Sequence, residues 1–107
     1  MSTRGILIIG QKVYDINHDA DIYAKTLFTK VWKEYKPGSA KEFIKIVNEI
    51  YDVTGRYIMV SPRPYSIPAS QVAPDPIFDE AVIKVNLTTG QVKMRKLRMG
   101  VTKLPKF

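Results

Sequence analysis

Four consecutive apolar residues, Ile6-Leu7-Ile8-Ile9, are followed by a turn at Gly10-Gln11-Lys12 and a second extended run over residues 13–16. Being apolar on both faces, the first run predicts a central strand, and residues 5–16 read as a strand or a tight hairpin. The period then changes to that of a helix. Ala24, Leu27, Phe28, Val31, Trp32 and Tyr35 share one face, with Lys25, Lys33 and Lys36 on the other. Asn17 and Asp19 are placed to cap this helix, Asp21 and Lys36 suit its dipole, and Pro37-Gly38 stops it. The aromatic stripe Phe28, Trp32 and Tyr35 is expected in the core.

A second helix opens on the capping box Ser39-Ala40-Lys41-Glu42, carries the stripe Phe43, Ile44, Val47, Ile50 and Tyr51, and ends at Gly55. So short a link between helices predicts a helical hairpin. Residues 56–61 read as a buried strand. Residues 62–76 hold five of the seven prolines and predict an extended loop, either pinned by Tyr65, Ile67 and Val72 or free to meet a partner. Residues 79–87 and 91–97 then predict a β-hairpin around Thr88-Thr89-Gly90. Leu97 breaks the alternation of Val92 and Met94 and calls for a bulge near Arg95-Lys96. The expected fold is a single α+β domain over residues 1–99. It has an antiparallel or mixed sheet of about four strands, with an α-helical hairpin packed on one face. Residues 100–107 lack a period and are expected to form a loose tail.

At 107 residues, 45% of them hydrophobic, the chain can bury one core and is not of disordered composition. It has no cysteine, so disulfides, thiolate metal sites and cysteine nucleophiles are excluded. The run at residues 6–9 is too short for a signal-peptide core or a membrane span, which makes a cytoplasmic protein the expectation.

Charge changes the picture more. Of 17 basic residues, Lys84, Lys93, Arg95, Lys96, Arg98, Lys103 and Lys106 lie beyond residue 80, where there is no acid, so the net charge of +7 resides in the last quarter. Segregated charge is an argument about partners. Lys93, Arg95, Lys96 and Arg98 crowd one strand, and Lys96 and Arg98 are expected about 7 Å apart on one side, close to the spacing of backbone phosphates. A two-stranded ribbon can also enter a major groove. Arg56-Tyr57 and Arg63-Pro64-Tyr65 add arginines beside aromatics, a combination that stacks on unpaired bases. The same lysines and arginines also suit an edge strand guarded against aggregation, or an acidic protein partner.

Other chemistry is thin. His18, the only histidine, stands beside Asp19 and Asp21 without a second histidine or a cysteine, and a helix-capping cluster explains all three. Ser2 becomes an N-terminal hydroxyl once Met1 is removed, but no accompanying oxyanion hole is visible. Phosphate-loop, dinucleotide and zinc-protease motifs are missing, so no cofactor, metal or catalytic residue is assigned.

The opening Met1-Ser2-Thr3-Arg4-Gly5, then a strand, then His18 with Asp19, Asp21 and Tyr23, resembles a group of short bacterial and phage proteins of unassigned function. Those begin Met-Ser-Thr-Arg and carry a His-x-Asp-x-Tyr cluster before a helix. Here Asp19 follows His18 directly and Tyr23 comes later. The resemblance implies a small accessory protein of viral or phage type. The expected function is that of such a protein, in the host cytoplasm if viral, acting by protein contact through the hairpin or the proline-rich loop, or by self-association. An isologous homodimer paired across an edge strand is the form a small sheet suggests. The alternative is a DNA- or RNA-binding protein using the basic hairpin, with Arg56, Arg63 and Tyr65 as further contacts.

Overall fold

The computed structural model describes residues 4–16, 19–53, 73–74, 79–98, 100–101 and 103–105. Strands β1 (Gly5–Ile9) and β2 (Lys12–Ile16) come first, followed by helices α1 (Ala20–Thr26), α2 (Phe28–Tyr35) and α3 (Ala40–Val53). Strands β3 (Ala81–Val85) and β4 (Val92–Lys96) complete a four-stranded sheet of order β2-β1-β3-β4. β1 pairs antiparallel with β2 and parallel with β3, so the sheet is mixed and the fold is α+β. The central place of β1 follows from its apolar residues on both faces. The expected strand at 56–61, the stop at Gly55 and the proline-rich loop except for residues 73–74 lie outside the described residues.

Alternation of side chains gives the sheet two buried faces. Leu7, Ile9, Tyr14, Ile16, Ile83 and Val85 join the helix residues Tyr23, Leu27, Phe28, Val31, Phe43, Ile44 and Val47 in the main core. Phe28 is its centre, with ring centroids 5.6 Å from Phe43 and 6.4 Å from Tyr23, both tilted as aromatic quadrupoles prefer. Burial raises the pKa of the Tyr14 phenol. On the other face Ile6, Ile8, Val13 and Val82 form a second cluster, against which Leu97 and Leu104 pack. Leu97 therefore needs no bulge: the β3–β4 register runs unbroken from Val85↔Val92 to Ala81↔Lys96. Leu104 ties part of the expected loose tail to the sheet.

Four local expectations are corrected. The first helix bends at Leu27 into α1 and α2, although Leu27 N–H still bonds to Tyr23 O (3.0 Å) and Val31 N–H to Leu27 O (2.9 Å). The Thr26 hydroxyl donates to the Ile22 carbonyl (2.8 Å), the back-bond that bends helices. Asp19 sits at the helix start in the left-handed region (φ 55°) and makes no side-chain cap bond. Tyr35 is 51% exposed rather than core, while Phe28 is fully buried. And the helix stop begins one residue before Pro37-Gly38, at Lys36 in the left-handed region (φ 44°, ψ 58°). A left-handed lysine costs roughly 1–2 kcal/mol, partly offset by the greater unfolded-state freedom of glycine. Lys36→Gly is therefore expected to raise the unfolding free energy by about 0.5–1 kcal/mol, read from the urea midpoint at constant m.

The capping box forms as expected in outline. Glu42 N–H donates to Ser39 Oγ (3.2 Å), and the Glu42 carboxylate reaches back one residue further than usual, to Gly38 N–H (3.1 Å).

Candidate functional site

The basic hairpin is organised by its turn. Asn86 Oδ1 accepts from Thr88 N–H (2.9 Å) and Thr89 N–H (3.3 Å), and Gly90 N–H donates to Asn86 O (2.8 Å). Gly90 takes φ +77°, open to glycine and strained for other residues. The Trp32 indole of α2 lies against it: a Cβ on Gly90 would fall 2.4 Å from the Trp32 ring. Trp32 Nε1–H also donates to Leu87 O (2.6 Å). One side chain thus fixes the turn to the helical layer.

With the turn set, register places the charges. Lys84 pairs directly with Lys93 and Val82 with Arg95, so Lys84, Lys93 and Arg95 share the face away from the helices. Directly opposed residues hold their Cβ atoms about 4.5–5.5 Å apart, and Lys93 and Arg95 follow at about 7 Å along the strand. Both lysines are exposed, and neither has an acidic partner among the described residues. Asn86 N–H donates to Gln91 O (2.9 Å), carrying the ribbon one step further, and Lys84, Asn86, Gln91 and Lys93 enclose a notch of about 110 Å³. A larger cleft, about 390 Å³, lies at the adjoining end of the sheet, where β1 and β3 finish beside the start of α3.

Only part of the expected site assembles this way. Lys93 and Arg95 come together. Lys96 has the opposite parity and lies on the helix side of the sheet, and Arg98 stands beyond the end of β4. Arg56, Arg63 and Tyr65 lie outside the described residues, as do His18 and Ser2. Sequence reasoning missed Lys84. Its signal was the turn itself, because a hairpin centred between Thr88 and Thr89 sets residue 84 opposite residue 93.

Groove entry by the ribbon is also corrected. β1 continues the sheet beside β3. Four strands spaced at about 4.8 Å exceed a major groove about 12 Å wide. The exposed part of that face, with Lys84, Lys93 and Arg95 beside the buried Ile8 and Val82, can lie along a phosphate backbone but cannot sink flat into the groove.

No known protein family matches this chain. Comparison with curated proteins and with solved structures likewise finds no match. Among the described residues, no helix is long and apolar enough to cross a membrane, and no three His, Cys, Asp or Glu side chains are grouped to hold a metal ion.

Proposed function

We propose that the chain is a small nucleic-acid-binding protein that grips the phosphate backbone with the outer face of β3 and β4. The observation that carries this reading is the cross-strand pair Lys84–Lys93 flanked by Arg95. Like charges set directly opposite one another destabilise a sheet by up to about 1 kcal/mol. A cost of that kind is relieved when an anion bridges the pair. The spacing of Lys93 and Arg95 matches a repeating phosphate better than the irregular carboxylates of a protein surface.

The other reading is a viral or phage accessory protein acting by protein contact or self-association. It draws on Ile22 and Tyr35, large apolar side chains that are 52% and 51% exposed on α1 and α2. Self-pairing through β4 would bring Lys93, Arg95 and Lys96 of one copy beside the same cations of the other, which opposes a homodimer at that edge.

Neighbouring lysines on opposite faces supply the test. In anisotropy titrations with a labelled 20-base-pair duplex at low salt, Lys93→Ala is expected to weaken binding about tenfold, the loss of one charge-assisted contact. Lys96→Ala is expected to change it less than threefold. Equal losses would remove the outer face from the account. Binding to an acidic peptide but to no oligonucleotide would replace nucleic acid with a protein partner.

A further inference from the structure

The notch and the larger cleft adjoin, and Lys84 and Asn86 line both. At about 390 Å³ the cleft falls in the range of small-molecule sites, roughly 300–1,000 Å³. It opens at the carboxyl ends of the parallel pair β1 and β3, where such sheets leave a crevice. Ile9, Val85 and Leu87 give it apolar surface, and Ser39, Asn86 and Thr88 give it polar surface.

Two positive features compete for an anion there. One is the first turn of α3, but its Glu42 N–H already serves Ser39 Oγ, and the Glu42 carboxylate bound to Gly38 N–H repels a second anion. The other is the Lys84–Lys93 pair, which has no acidic partner among the described residues. The lysines win. A ligand that suits both recesses carries its charge at one end, for the lysines, and a part-polar, part-apolar body for the cleft.

We propose that the two recesses together bind one nucleoside monophosphate unit, its phosphate on Lys84 and Lys93 and its base and sugar in the larger cleft beside Asn86 and Thr88. This rests on the nucleic-acid reading and gives it a terminus: the unit is either a free nucleotide or the phosphorylated end of a strand.

Amide NMR titrations with adenosine monophosphate and with adenosine test it, alongside anisotropy with a duplex and with 5′-phosphorylated and 5′-hydroxyl 12-mers. The monophosphate is expected to shift the amides of Gly10, Ser39, Asn86 and Thr88, and adenosine at equal concentration to leave them in place. Thr88→Phe narrows the larger cleft while keeping the backbone N–H that Asn86 uses. It is expected to weaken the monophosphate at least tenfold and the duplex less than twofold, with the dispersion of the spectrum reporting the fold. A fivefold preference for the 5′-phosphorylated 12-mer identifies a strand end as the source, and equal affinities identify the free nucleotide. Duplex binding without any response to the monophosphate, or with one that Thr88→Phe leaves intact, overturns this inference and spares the backbone reading. Failure of the monophosphate and of every oligonucleotide overturns both.

Discussion

Gly90→Ala is expected to lower the unfolding free energy by about 2–5 kcal/mol, of which roughly 1–2 come from the left-handed backbone and 1–3 from overpacking. The second contribution exists because Trp32 occupies the space: its ring atoms lie 2.4–2.6 Å from where the new Cβ would be. The ring cannot simply swing away, since its Nε1–H is bonded to Leu87 O. Gly10→Ala separates the two effects. Gly10 also has positive φ, at +60°, but nothing lies within 4 Å of an added Cβ, so its loss should stay near 1–2 kcal/mol. Thermal unfolding of the two variants checks this, with a drop in Tm on the order of 10 °C or more for Gly90→Ala and clearly less for Gly10→Ala. Equal drops would mean that Trp32 does not anchor the turn. The anchor matters for function because the turn sets the register that opposes Lys84 to Lys93.

Replacing Lys84, Lys93 and Arg95 together by alanine is expected to weaken duplex binding on the order of 1,000-fold or more at low salt, at about 1.5–3 kcal/mol for each charged contact. The change of Lys84 and Lys93 alone to alanine should leave stability unaltered or raise it by up to about 1 kcal/mol, because it removes the repulsion between the two. The opposite signs carry the argument. A surface kept for stability loses stability when it is stripped, whereas a surface kept for a partner loses only the partner. Urea unfolding of the Lys84→Ala, Lys93→Ala double variant, run beside its own titration, reads both quantities on one preparation.

Much of the fold was legible because several signals agreed at each place. Residues 6–9 are apolar on both faces and form the central strand; Ser39 and Glu42 cap α3; Gly90 sits in the hairpin turn with positive φ. What escaped was partly local backbone detail and partly the work of tertiary neighbours. The bend at Leu27 comes from one hydroxyl back-bond, and the left-handed Lys36 from where the chain must turn before Pro37. Leu97 looked out of phase only while the sheet was taken to have a single buried face; Ile6, Ile8, Val13 and Val82 make a second one, and Leu97 belongs to it. The candidate site was half legible for the same reason. Counting charges along β4 grouped Lys93, Arg95, Lys96 and Arg98, but the pleat divides Lys96 from Lys93 and Arg95, and the pairing adds Lys84.

The central claim is that Lys84, Lys93 and Arg95 act as one phosphate-binding face, and the dependence of duplex affinity on salt tests it most directly. Each phosphate neutralised should contribute about 0.9 to the log–log slope, so three contacts predict a contribution of about 2.7. The wild type is expected to show a slope of that size or steeper, and the triple alanine variant a slope lower by about 2.7. A variant slope equal to that of the wild type would contradict the account and place the contacts elsewhere on the protein.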